Sequence, residues 1–235
     1  MMTKDEVLKE LKSYGSESIK KVLMAHGADN TTYGVRISDM KNTVKKIKKD
    51  YKLSLELFNT GIYDAMYMAG LIADESKMTL KDLNNWAERS NTYGISEYTV
   101  AWIAAESKFG WDLANEWIKS KNENIASSGW STFSNYIALT ENEKLDLKGI
   151  EKLMEKVLQD INAAENRVKY TMNGFIISVG CYIPQLSAIA LEIGKKLGKV
   201  EVDMKGTSCK IPSSVDYINK VIARGYSKKK KTVRC

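Results

Sequence analysis

Trp86, Tyr93, Glu97, Tyr98 and Trp102 all fall within the stretch LNNWAERSNTYGISEYTVAW, residues 83–102, and together they supply a carboxylate, two phenols and two indole faces. A helix starting at Ser96 puts Glu97 in its first turn, where free backbone N–H groups and the helix dipole favour a negative charge. Tyr93 lies just before that turn. Such a pair can flank a flat cation, the ring through its π-face and the carboxylate through its charge. The same residues also fit a purely structural arrangement, with Trp86 and Trp102 in a core, Tyr93 stapling a loop and Glu97 serving as a favourable helix-start residue.

The elements that must position this stretch read as helices. A chain of 235 residues, 43% hydrophobic, can bury a substantial core as one large domain or one repeat array. Its two prolines, Pro184 and Pro212, and the lack of a long alternating β-branched run predict an all-α protein. Thr3-Lys4-Asp5-Glu6 has the form of a capping box, opening a helix through Tyr14, and Ser16 can cap a second that ends at Gly27. His26 reads as a cap at that helix end. A third helix, from Ser38 to Asp50, carries Met40, Val44 and Ile47 on one stripe and Lys41, Lys45, Lys48 and Lys49 on the opposite face. Gly61 divides the next two segments, and Thr79 caps the helix that contains Trp86. Further helical patterns follow Gly110, cover 147–163, open at Asn166 and restart at Pro184. Helix pairs succeed one another without long linkers, which predicts an α-solenoid.

The net charge of +7 is concentrated in two places. Residues 36–52 hold seven basic side chains against Asp39 and Asp50, and residues 220–235 hold seven with no acid. This pattern suits a polyanion partner, although a solvated helix face and a solubilising end account for each run taken alone. The end of the chain, GYSKKKKTVRC, has no apolar periodicity, so residues 226–235 are expected to be a mobile tail beyond a single domain spanning 1–225. Cys181, Cys209 and Cys235 form no CxxC pair, and with one histidine a zinc site is not expected. The charged start MMTKDEVLKE and the absence of an 18-residue apolar window predict an intracellular, cytoplasmic chain with no membrane partner.

The segments YGVRISDMKNTVKKI, LSLELFNTGIYDAMYMAGLIAD, LKDLNNWAERSNTYGISE, NRVKYTMNGFIISVG and GKVEVDMKGTSCKIPSSVDYINKV together resemble the DNA alkylation repair family of AlkD type, over most of the chain. The resemblance implies a right-handed α-solenoid of HEAT-like antiparallel helix pairs. Its basic concave face would cradle double-stranded DNA, in a nucleoid-associated monomer that needs no metal or other cofactor. Active members of the family are DNA glycosylases that remove cationic N3- and N7-alkylated purines without flipping the base into a pocket. They use an aspartate four residues after a tryptophan, an arginine in the next helix pair and a later second tryptophan.

Carried onto this chain, Tyr93 stands at the first aromatic, Glu97 at the catalytic aspartate, Ser127 at the arginine and Gly174 at the second tryptophan. Glu97 could still stabilise an oxocarbenium-like sugar. It is one methylene longer, and about 1 Å of misplacement can cost on the order of a hundredfold in rate. Ser127 cannot clamp a phosphate bidentately as arginine does, and Gly174 offers no π-face. Phosphate contacts are expected from Lys41, Lys45, Lys48 and Lys49 and from Lys228, Lys229, Lys230 and Lys231. Three readings result: a DNA glycosylase with an altered site acting through Glu97 on alkylated purines, a non-catalytic solenoid recognising duplex or distorted DNA, and a protein-binding helical scaffold.

Overall fold

A computed structural model describes residues 2–235, and among these every regular element is helical. The capping box forms at the start of α1 (Lys4–Ser13), where Glu6 Oε2 accepts from the Thr3 backbone N–H at 2.8 Å. The next helix, α2 (Glu17–Ala25), has Ser16 at its N-cap position, but that hydroxyl meets the Ser18 hydroxyl rather than a backbone N–H of the first turn. It ends on His26, after which Gly27 takes a left-handed φ of 89°. Glycine adopts that conformation without steric cost, which is why the chain can leave the helix there.

The third helix is shorter than its lysine pattern suggests. It runs as α3 (Ile37–Ile47), Lys48 adopts φ 63°, and Asp50 accepts from the Leu53 N–H to cap a separate α4 (Tyr51–Phe58). Lys41 and Lys45 therefore lie on the helix, whereas Lys48 and Lys49 lie on the break after it. On α5 (Tyr63–Ile72), the buried Asp64 accepts from the Thr32 hydroxyl and from the Tyr33 and Val35 N–H groups at 2.8, 2.5 and 2.9 Å. One carboxylate thus ties down the polar loop that precedes α3.

A second capping box, between Thr79 and Asp82, starts α6 (Leu80–Arg89). The chain then passes through a π-turn at Ile95–Val100 into α7 (Ala101–Glu106), so the helix expected from Ser96 begins with a widened turn and stops before Ser107. The remaining helices are α8 (Gly110–Trp117), α9 (Glu123–Leu139), α10 (Leu147–Asp160), α11 (Asn166–Tyr182), α12 (Ser187–Leu197) and α13 (Ser214–Ile222). Pro184 does restart the chain, as one 3-10 turn leading into α12.

Successive contacts join α5, the π-turn with α7, α9, α11 and α13 into one row, backed by α4, α6, α8, α10 and α12. This is the expected all-α solenoid of helix pairs. Close approach within the row depends on Gly70, where an added Cβ would lie 2.7 Å from Thr99 Cγ2. Trp86 and Trp102 are core residues, as one of the two arrangements required, and Trp86 stacks on Phe58 at 4.1 Å. The core has two parts that meet at α8, which gives Leu113 and Trp117 to the first and Ala114 to the second.

The basic tail is not the free end expected from its composition. Residues 227–234 run across the C-terminal ends of α11, α9, α7 and α5 in turn. The Ser227 and Lys230 N–H groups donate to the carbonyls of Cys181 and Ala138 at 3.0 and 2.8 Å. Lys229 Nζ donates to the Ile137 carbonyl at 2.7 Å, and Val233 N–H to Glu106 at 2.9 Å. Arg234 then reaches the Ala73 carbonyl at 2.6 Å and pairs with Glu75 and Glu106 at 2.5 and 2.7 Å. The last carbonyls of a helix have no partner within it and carry the negative end of its dipole, so a cationic strand there is favoured on both counts.

Candidate functional site

Tyr93 and Glu97 do flank a flat cation, and it is the protein's own. Arg167, in the first turn of α11, donates from Nε and Nη2 to the two Glu97 oxygens at 2.7 and 2.5 Å. Its guanidinium lies over the Tyr93 ring at 4.1 Å and over the Tyr170 ring at 4.2 Å. Tyr170 follows Arg167 by three residues, one helical turn, which brings both to the same face of α11. The bidentate fork matches a carboxylate, and the two rings cover faces that water would otherwise solvate. Each face is worth about 0.5–2 kcal/mol.

The pair is nearly dry, with side chains 9% and 3% exposed for Arg167 and Glu97. Burial pushes the Glu97 carboxyl up, while the Arg167 hydrogen bonds and charge act against it. Burial likewise acts to lower Arg167, and Glu97 more than offsets that, holding the guanidinium protonated. Glu123, at the start of α9, accepts from the Arg167 backbone N–H at 2.6 Å and so fixes the beginning of α11. Both Glu97 oxygens therefore face the Arg167 guanidinium.

Beside this cluster, a cleft of about 210 Å³ opens between the π-turn with α7, α9 and α11, with Glu97, Tyr98, Trp102, Asn135, Tyr170 and Gly174 in its lining. A Cβ on Gly174 would meet nothing within 4 Å, so the missing side chain at this position leaves open space. Ser127 does not line the cleft. It is buried within α9, and its hydroxyl donates to the Asn124 carbonyl at 3.1 Å.

Lys41, Lys45, Lys48 and Lys49 are exposed, and Lys49 is engaged with Glu75 at 2.5 Å. In the tail, Lys228, Lys230 and Lys231 are exposed, whereas Lys229 turns inward, its amine over the Tyr182 ring 5.8 Å from the centroid. Burial lowers the pKa of that amine, whose task is to cap a helix end. Of the site residues expected, the structure brings together Tyr93, Glu97 and Gly174, and it leaves Ser127 out. Arg167 was not among them, although an arginine one turn before a tyrosine, ahead of the apolar run FIISV, was a usable signal. Among the described residues no three His, Cys, Asp or Glu side chains converge as a metal-binding group.

The family model for DNA alkylation repair enzymes matches residues 7–208. The chain belongs to that family. This DNA alkylation repair family member is 29% identical over 225 residues to an uncharacterised protein of Listeria innocua, covering 94% of this chain and 97% of the relative. A Listeria monocytogenes counterpart, also uncharacterised, is 28% identical over the same shares. In structure the present chain is similar to a protein from a family related to the HEAT-like repeat DNA glycosylases, with affinity for branched DNA structures. The two superpose with a TM-score of 0.92 at 34% identity, and the match covers 100% of each chain. Both the family and the HEAT-like repeat architecture implied by the segment resemblance are thereby shown.

Proposed function

We propose that this protein binds DNA with a preference for branched or distorted forms and does not excise bases. One observation carries the second half: the carboxylate at the family's catalytic position is buried and bonded through both oxygens to Arg167. A cationic base would have to displace a guanidinium that already has its carboxylate and two aromatic faces. DNA binding is supported by family membership, by the affinity of the structurally similar protein for branched DNA, and by the exposed lysines. Because the strap fixes the backbone of residues 227–234, Lys228, Lys230 and Lys231 would offer their charges from a set position rather than from a free arm.

Binding titrations on a four-way junction and on unbroken duplex of the same length, at several salt concentrations, test this reading. Tighter binding to the junction is expected, with each phosphate contact adding about 0.9 to the magnitude of the log–log salt slope. Incubation with methylated duplex should release no base above the spontaneous rate. Robust release that Glu97→Gln abolishes would return the protein to the glycosylases. Absence of salt-dependent DNA binding would favour the protein-scaffold reading instead.

A further inference from the structure

Cys209 and His26 are 183 positions apart, yet the segment between α12 and α13 folds back to set Cys209 Sγ 3.4 Å from His26 Nε2. The other ring nitrogen, Nδ1, lies 2.8 Å from the Val22 carbonyl in the last turn of α2. A carbonyl can only accept, so Nδ1 carries the proton of the neutral ring and Nε2 turns its lone pair towards the thiol. A base within reach of a nucleophile, and itself oriented by a third group, is the arrangement that activates a thiol. The sulfur is also open to approach, since Cys209 is exposed. Beneath it, Gly27 packs so close to Tyr93 that an added Cβ would lie 2.7 Å from the ring, which places the pair at the rim of the Arg167 cluster.

The electrostatics agree with this geometry. His26 holds the Cys209 thiol below its ordinary value, with further help from Thr207 and from the Arg167 charge. The imidazole is raised in turn, by the Val22 carbonyl and then by Cys209. The other cysteines differ. Cys181 is buried, and burial pushes its thiol up to about 11, while Cys235 is exposed in a chain whose single histidine is taken by Cys209.

We propose that Cys209, paired with His26, is a nucleophilic thiol that accepts alkyl groups from soft electrophiles. In the step, the thiol proton moves to His26 Nε2 and a sulfur lone pair forms the S–C bond. The bond from carbon to its leaving group breaks, and that group departs with the electron pair. The imidazolium then gives up its proton to solvent. A thioether results, and nothing is oxidised or reduced. The alkyl carbon can arrive on a free alkylating agent or as a phosphate methyl ester of DNA, and the displacement at carbon is the same.

The test treats the full chain with iodoacetamide and with methyl methanesulfonate from about pH 6 to 9 and maps the modified cysteines by peptide mass spectrometry. Near pH 7, Cys209 is expected to react about tenfold faster than Cys235, because a lowered pKa raises its thiolate fraction. Its rate should reach half-maximum below the ordinary thiol value of about 8.5. His26→Gln should slow Cys209 by about tenfold and leave Cys235 unchanged. The wild-type pH profile needs no substitution, so it remains decisive if that variant folds poorly. Equal wild-type rates for Cys209 and Cys235 near pH 7, or a Cys209 midpoint at or above about 8.5, would overturn the proposal, as would a folded His26→Gln protein with undiminished Cys209 reactivity. A duplex bearing phosphate methyl esters, run alongside, identifies the source. Methyl transfer from it points to DNA, transfer from the free reagent alone points to small electrophiles, and transfer from neither sinks the idea.

Discussion

Arg167 and Arg234 both sink a guanidinium among carboxylates, and each side chain is 9% exposed, but the two sites have different neighbours. Around Arg167 are two aromatic rings and one carboxylate, the set that could hold a flat cationic ligand. Around Arg234 are two carboxylates from different helices and a helix-end carbonyl, a set that joins elements. The first arginine fills the space between a carboxylate and two rings, and the second fastens an edge. Burial of an ion pair is therefore not in itself a mark of function; the groups around it decide what it does.

The largest separation between the two should come from Arg167→Ala, which leaves Glu97 buried without its partner. Removal of one member of a buried pair costs about 3–5 kcal/mol, so thermal denaturation should show a large fall in Tm. Adding Glu97→Gln to that variant should recover part of the loss, because the orphaned charge goes with it. An unchanged Tm in Arg167→Ala would mean that the pair does not hold the two helices together.

Deletion of residues 226–235 should rank next. It removes the Arg234 bridge, and hydrogen bonds to charged groups contribute about 1.5–3 kcal/mol. A melt that matches the full-length protein would restore the expectation of a free tail and undo the contrast between the two arginines.

A smaller, pH-dependent effect should appear at Glu75, which receives both Lys49 and Arg234. Burial acts to raise its carboxyl, but Lys49, the residue's own backbone N–H and Arg234 together more than offset it and hold the group below its ordinary 4.5. A carboxyl depressed in the folded state adds stability above its unfolded pKa and loses it as pH falls through the folded value. Glu75→Gln should thus lower Tm at neutral pH, with the difference from wild type closing as the solution is taken below about pH 4. A difference that persists in acid would show that Glu75 matters for packing rather than charge.

Tyr93→Ala should have the least effect, about 0.5–2 kcal/mol for one ring face over the guanidinium. If it lowers Tm more than Arg167→Ala does, the rings rather than the carboxylate hold the cluster.

The fold was legible because its signals are local. Thr3 with Glu6 and Thr79 with Asp82 are three residues apart and form the boxes their spacing announces. The apolar stripe of α10, with Ile150, Leu153, Met154 and Val157 buried, likewise states its own period. Lys48 and Lys49 misled because a lysine pattern continues through a break that depends on one left-handed residue and an aspartate cap. The tail was misread because most of its partners are main-chain carbonyls and side chains of helix ends, more than ninety positions away for Ile137 and farther for Ala73. No side-chain periodicity records such contacts. At the site, Tyr93 and Glu97 were legible as a holder for a flat cation, whereas the identity of that cation was not, since Arg167 is 70 positions from Glu97. His26 shows the same limit: its place at a helix end was readable, and Cys209 beside it was not.

The strap across α11, α9, α7 and α5 bears on how the chain folds. In a stacked array each unit leans on its neighbours, so ends can fray and inner units can open one at a time. A cord tied at four rungs, with one knot spanning 161 positions, makes opening any crossed rung disturb the others. Its residues are synthesised after every helix they cross, and closing so long a loop carries an entropic cost that the local pairings avoid. Refolding should accordingly show a fast phase in which the array assembles and a slower one in which the cord locks it, and only the locked form should unfold as a single unit.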